Sequence, residues 1–404
     1  MSDVYQQSIE LHRKNKGKLG IVPIIEVKDK SDLSLVYTPG VAQVCLEIEK
    51  NINESFELTW RGRTVAVISD GSAVLGLGNI GAAAGMPVME GKAMLFKKFA
   101  GVDAIPICVD LHTADELVDF VTAIAPSFGG INLEDIAAPI CFEVEDRLQN
   151  LGIPVTHDDQ HGTAIVVTAA VINSAKVVGK KYEDLKVVIS GAGAAGLAIA
   201  QMLLSVERQY NSQLPNSQIL KSVSGSRVKD VIILDSKGII DENGGGLKTE
   251  FSKITNTENR KGGLFEAIVG ADVFIGVSKG GIMTKEMVAS MARDAIVLGM
   301  ANPIPEILPD LAKEAGAMVV GTGRSDYPNQ VNNSLVFPGL FKGLLESHAV
   351  RETMGVRQAA VKALASFIEP TVDKILPSMF DPGQSEAIAQ AVMEAVKSEG
   401  LERK

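Results

Sequence analysis

A chain of 404 residues, 46% hydrophobic and 22% charged, has room for two domains of ordinary size, each with its own core. Its net charge of −10 argues against a nonspecific grip on nucleic acid. Apolar runs fall short of the roughly eighteen residues of a membrane span. The start, MSDVYQQSIELHRKNKGK, lacks the apolar core of a signal peptide. Cys45, Cys108 and Cys141 form no C-x-x-C pair, so neither a disulfide framework nor a zinc site is expected, and the setting reads as cytoplasmic.

Taken in chain order, VYTPGVAQVCLEI comes first and places Tyr37 just before Pro39, a residue suited to a first helical position. Tyr37 is then a packed aromatic or a positioned acid, and the residues alone favour packing. From about residue 64, short β-branched runs alternate with longer helical ones. TVAVISD, AIPICVD, GGINLED, IPVTHDD, LKVVIS, DVIILD, DVFIGVS, AIVLGM and AMVVGTG are the strand candidates. Most are nearly continuous apolar runs, the pattern of parallel strands covered on both faces. Helical patterns between them predict βαβ units and an α/β fold.

SDGSAVLGLGNIGAAAGMPVMEGKAMLFKKFAG reads as a strand end, a glycine-rich turn and a helix. On that helix Lys92 shares an apolar face with Val88, Met89 and Phe96. A desolvated lysine loses pKa and can act as a base, whereas a snorkelling lysine does nothing chemical; the pattern leaves both open. Glu134 and Asp135 end one strand candidate, and Asp158 and Asp159 end another. Ligands bind beyond the carboxyl ends of strands in open α/β sheets. Carboxylates gathered there repel unless a cation neutralises them, and oxygen-only ligation suits Mg²⁺ or Mn²⁺. Helix capping explains one acid per strand end but not both pairs well.

LKVVISGAGAAGLAIAQMLL is a buried strand, then Gly191-x-Gly193-x-x-Gly196 with Ala192 and Ala194 between, then an apolar helix. The glycines allow a tight turn, close approach to a pyrophosphate, and close helix–strand packing. This predicts a Rossmann-type dinucleotide site. Asp235, ending VIILD, suits the ribose hydroxyls of NAD, while Ser236 and Lys237 could instead hold the 2′-phosphate of NADP. Lys237 is equally an ordinary solvated lysine. FIGVSKGG and VLGMANPIPEI bring Ser278 and Asn302 towards the same cleft. Residues 206–229 and 241–263 are polar and read as surface excursions, and the last fifty or so residues read as helices. The division expected is 1–160 for a substrate- and metal-binding domain, 161–350 for the dinucleotide domain, and 351–404 for a helical tail.

YTPGVA, SDGSAVLGLGNIG, GMPVMEGKAMLFKKFAGVDAIPICVD, INLEDIAAP, THDDQHGTA, GAGAAG, MANPIPEI and SDYPNQVNNSLVFPG follow one another over roughly residues 35 to 345. Together they resemble the malic enzyme family. No acyltransferase-like domain follows, so the short bacterial and archaeal-type members are the expectation. The resemblance implies oxidative decarboxylation of L-malate to pyruvate and CO₂, with NAD or NADP reduced and Mg²⁺ or Mn²⁺ required. It implies Lys92 as the base for the C2 hydroxyl and Tyr37 as the acid for the enolate carbon. It implies Glu134, Asp135 and Asp159 as metal ligands, Asp158 as support for Lys92, and Asn302 and Asn333 as substrate contacts. A homodimer is likewise implied. Longer members carry an arginine at the position of Ala73, which leaves Ser72 or a backbone turn as the replacement. A malolactic-type enzyme with tightly bound NAD would use the same site. A non-catalytic nucleotide sensor is disfavoured by retention of Lys92, Tyr37 and all the acids.

Overall fold

A computed structural model describes residues 2–210 and 218–404. Two sheets organise it, parallel throughout except for the edge strand Gly238–Ile239 of the second, which pairs antiparallel with its neighbour. The first has the order β2-β1-β3-β4, from β1 (Thr64–Ser69), β2 (Asp103–Cys108), β3 (Gly130–Leu133) and β4 (Val155–His157). The second has the order β12-β11-β10-β5-β8-β9, built from β5 (Lys186–Ser190), β8 (Asp230–Asp235), β9 (Gly238–Ile239), β10 (Val273–Gly276), β11 (Ile296–Gly299) and β12 (Val319–Thr322). All nine expected strands are present. β6 (Val206–Tyr210) and β7 (Gln218–Ser222) form a separate antiparallel hairpin.

Three expectations change. The strand IPVTHDD stops at His157, and Asp158 and Asp159 open the helix Asp158–Val177. Acids in a first turn are favoured by the helix dipole, so these two face the same cleft from a helix start. Residues 206–229 are not simply a surface excursion, since they contain the hairpin; 211–217 lie outside the described residues. Residues 241–263 contain the helix Gly246–Ser252, which buries Leu247 and Phe251. In the second segment only Leu247 and Phe251, one helical turn apart, carry the apolar face, which is why it looks polar.

The helix Asp158–Val177 buries fifteen of its twenty residues, as a helix apolar all round must. It packs against the helix Ala194–Leu204, which follows the glycine-rich turn, and against Met354–Ser366. One core therefore continues from Ile68, Ile131 and Leu133 of the first sheet to Val187, Ile189 and Ile275 of the second. The outer face of the first sheet is covered by Met89 and Phe96, and by Phe337 and Phe341 of a helix late in the chain. Phe96 lies 4.7 Å from Phe337 and 5.4 Å from Phe341, between ring centroids. The helices Lys30–Val36 and Val41–Lys50, by contrast, bury no residue. Among the described residues no helix is long and apolar enough to cross a membrane.

Candidate active site

Backbone leaving the carboxyl ends of both sheets surrounds a cavity of about 710 Å³. Lys92, Glu134, Asp135 and Asp159 line it from the first sheet's side. Ser278 and Asn302 line it from the second, and Asn333 closes it from the later chain. β3 ends at Leu133, so Glu134 and Asp135 lie immediately beyond it. Asp135 takes a left-handed φ of 53°, a conformation aspartate tolerates better than most residues. This turns the two acids towards Asp159, whose Oδ2 accepts a hydrogen bond from the Asp135 backbone N–H at 2.8 Å.

Oxygen atoms of Glu134, Asp135 and Asp159 lie within 4.8 Å of one another. Three carboxylates so close repel strongly at low dielectric. An all-oxygen donor set of this kind fits a hard divalent cation. Glu134 is further fixed by Asn132 Nδ2, which donates to Oε2 at 2.8 Å. Burial raises the Glu134 pKa, against the pull of Lys92.

Lys92 is buried, with Nζ bonded to Glu134 Oε1 at 2.8 Å and to Asp158 Oδ2. Its ammonium also lies 4.1 Å from the centre of the Phe337 ring. The lowered pKa expected from desolvation alone is not what the site produces. Burial pulls the pKa down, but Asp158, Glu134 and Asp159 outweigh it and hold Lys92 above its ordinary value. Asp158 sits beside the lysine as the resemblance implied. Gly162, one turn along the helix, leaves it room: a Cβ there would meet Asp158 Oδ1 at 1.9 Å and Asn333 Cβ at 3.3 Å.

Three residues that matter to this geometry went unread in the sequence. Glu145, fully buried, accepts from the His157 backbone N–H at 3.0 Å and bonds His161 Nε2 at 2.9 Å. It thereby holds the first turn that presents Asp158 and Asp159, with His161 as its partner one turn further along the helix. Arg208 of the β6 hairpin reaches in as well, donating to Glu145 at 3.3 Å and to Asp146 at 2.8 Å. Burial opposes ionisation of Glu145, but His161, Arg208 and Arg357 overcome it and hold the carboxyl below its usual range. Glu306 does comparable work on the nucleotide side, accepting from Ser278 N at 3.0 Å and Ala301 N at 3.1 Å. It ties together the ends of β10 and β11. An E-D-R or P-E pattern carries no signal by itself, so these acids become visible only in three dimensions.

The turn after β5 is a close-packed one. Gly191 has a φ of 125°, and a Cβ at Gly196 would lie 1.7 Å from Gly191 O. Ala195, one residue beyond Ala194, lines the cavity, so the turn opens onto it; Ala192 and Gly193 sit in the turn itself. Ser278 Oγ is 3.0 Å from Ser190 Oγ at the end of β5. Asp235 ends β8, next to this turn. The third unread residue, Lys248, occupies it: Lys248 Nζ donates to Asp235 Oδ2 at 2.6 Å. Burial works against it, but Lys248 and the Lys237 backbone N–H lower the Asp235 pKa. Ser236 and the Lys237 side chain are exposed; Lys248 makes the ion pair with Asp235, and Lys237 adds its charge from further out.

Tyr37 is not brought to the cavity. It ends the helix Lys30–Val36, is 66% exposed, and is absent from the cavity wall. The next helix begins at Val41 rather than at Pro39. Ser72 also differs from expectation. Its hydroxyl donates to Asp70 Oδ1 at 2.6 Å and accepts from Ala137 N at 2.8 Å, so it is engaged in shaping its own turn.

Comparison with known proteins agrees with this arrangement on both sides of the cleft. Residues 16–149 match the model for the malic enzyme N-terminal domain, and 160–397 that for the malic enzyme NAD-binding domain. The chain is 49% identical to a bifunctional malic/malolactic enzyme of Bacillus subtilis, over 98% of this chain and 94% of the relative. It is 50% identical to an NAD-dependent malic enzyme of Geobacillus stearothermophilus, over 96% of this chain and 78% of the relative. A crystal structure of malic enzyme from Pyrococcus horikoshii superposes with a TM-score of 0.90 at 43% identity, covering 99% of this chain and 92% of that one. Two family domains in order, meeting at one acid-and-lysine cleft, make this chain a member of the malic enzyme family.

Proposed function

We propose that the chain oxidatively decarboxylates L-malate to pyruvate and CO₂ and reduces NAD or NADP, with Mg²⁺ or Mn²⁺. The observation that carries this reading is the meeting of Lys92, Glu134, Asp135 and Asp159 in one cavity, with Asp158 paired to Lys92 behind it and Ala195 of the glycine-rich turn on the same wall. In this reading residues 1–160 serve malate and metal, 161–350 the nucleotide, and 351–404 brace them, in a cytoplasmic enzyme. A divalent ion on Glu134, Asp135 and Asp159 supplies the positive charge that polarises the C2 oxygen and stabilises the enolate. Such an ion would weaken the pull of Glu134 and Asp159 on Lys92, whose neutral amine is the form that takes the C2 hydroxyl proton. Asp158, which accepts a hydrogen bond from Lys92, supports its protonation cycle. Asn302 and Asn333 orient the substrate by hydrogen bonds.

The test is direct. The purified chain with L-malate, Mn²⁺ and either dinucleotide should form pyruvate and reduced cofactor in equal amounts, and a chelator should stop it. Lactate without build-up of reduced cofactor would favour the malolactic reading, which the name of the Bacillus subtilis relative makes specific.

Asp235 disfavours a 2′-phosphate and Lys248 offsets that charge. Lys248→Ala is therefore expected to lower kcat/KM for NADP relative to NAD by roughly two- to fivefold, the scale of a partly exposed pair. A ratio unmoved by this substitution would send the search for selectivity elsewhere in the cleft.

The homodimer belongs to the same proposal. Ile21, Val22, Ile24, Leu35 and Tyr37 are all at least 66% exposed, an apolar surface that a second copy would cover. On this reading Tyr37 serves the neighbour's cavity as the enolate acid. Mixing inactive Lys92→Ala and Tyr37→Phe dimers under subunit exchange should then regain up to about a quarter of wild-type activity, since a heterodimer holds one intact site. No recovery despite proven exchange would place Tyr37 in its own chain's site.

A further inference from the structure

A dicarboxylate entering this cavity meets a wall already rich in acid. A divalent ion on Glu134, Asp135 and Asp159 can answer one end of the substrate. The other carboxylate still needs a cation, because an unpaired charge against buried carboxylates is costly. Lys92 is committed to Glu134 and Asp158. Ala73 offers no charge, and the Ser72 hydroxyl is held by Asp70 and Ala137.

Among the described residues the cavity wall carries no arginine and, besides Lys92, a single further lysine, Lys18. It sits just after the first helix, on a segment that crosses the helix Ala82–Ala100. Nζ donates to Pro87 O at 2.6 Å, which uses one of its three hydrogens. It lies 3.7 Å from where a Cβ of Gly91 would be, next along the chain from Lys92. A glycine at 91 thus lets the ammonium lie against the helix that carries the base. Partial burial lowers the Lys18 pKa, and the charge of Glu90 opposes this. His12 is on the same wall, but its Nδ1 is 2.7 Å from Ser8 O.

We propose that Lys18 is the cationic contact for the C4 carboxylate of the substrate, a specificity residue that takes the place of the arginine missing at Ala73. This rests on the malate reading above.

The experiment compares Lys18→Ala, Lys18→Arg and wild type in three measurements with Mn²⁺ present: KM for L-malate, inhibition by oxalate, and equilibrium binding of L-malate by calorimetry. Oxalate can occupy the metal but has no C3–C4 arm. Lys18→Ala should raise the malate KM roughly ten- to hundredfold, the scale of one charge-assisted hydrogen bond. Oxalate inhibition should stay within about twofold, and Lys18→Arg should recover most of the loss. An unchanged malate KM would overturn the proposal. So would oxalate weakened as much as malate, since the defect would then lie in the metal site or the fold. Should wild type turn over no malate, the functional reading fails separately. Lys18 is then judged by calorimetry alone: malate binding that is lost in Lys18→Ala sustains it, and binding equal to wild type, or none by wild type, overturns it.

Discussion

Lys92→Ala is expected to lower malate oxidation by roughly a hundred- to ten-thousandfold while leaving decarboxylation of added oxaloacetate far less affected. Oxaloacetate has no C2 hydroxyl proton, so a base for that proton is not needed. The structure adds a condition to the experiment. Lys92 also balances Glu134 and Asp158, both buried, and removing one partner of a buried ion pair costs about 3–5 kcal/mol. The variant should therefore be assayed with saturating Mn²⁺ and its fold checked by near-ultraviolet circular dichroism. If both half-reactions fall equally in a folded variant, Lys92 serves the enolate or substrate binding as well as the hydroxyl.

Asp159→Ala carries the second large effect. Loss of one of three carboxylates should abolish metal-dependent turnover, while nucleotide binding survives because the Gly191 turn belongs to the other sheet. Alanine also frees the Asp135 N–H, which Asp159 Oδ2 accepts, and so loosens a second ligand. Asp159→Asn separates the two contributions, since an amide oxygen still accepts that bond but carries no charge. We expect Mn²⁺ affinity to fall at least roughly tenfold in the asparagine variant, by analogy with lost ligand support, and further in the alanine variant. Titration calorimetry with Mn²⁺, beside fluorescence titration with NADH, measures both. Equal weakening of metal and nucleotide in a folded protein would show that the two sites are one cooperative unit.

The strands and the glycine-rich turn were legible in the sequence because parallel strands buried on both faces leave long apolar runs, and a tight βα turn demands glycine at fixed offsets. The acids beyond β3 and β4 were legible for a related reason: nothing else explains paired carboxylates beside core. Local pattern misplaced Asp158 and Asp159 by one element, since a strand running directly into a helix leaves no turn residue to mark the change. The pKa of Lys92 was misjudged because burial can be read from its apolar neighbours, whereas Glu134 and Asp158 come from positions 42 and 66 residues away. Lys248, Glu145 and Glu306 were missed on the same ground. Each acts across the chain, through contacts that have no spacing rule. Tyr37 was found by resemblance alone, and the fold of one chain leaves it facing solvent.

The helix Asp158–Val177 has a mechanical meaning. Its first turn holds two of the site's acids, and its body is packed against the helix that follows the nucleotide turn. Twenty residues at 1.5 Å each make a rod about 30 Å long. A tilt of only about 2° around its far end would carry the first turn by about 1 Å, a displacement able to cost about a hundredfold in rate. The rod is a lever arm, and the nucleotide side holds its long end. Repacking of buried positions along it, such as Val167 or Val171, should then be felt as lost turnover at a site these residues never touch.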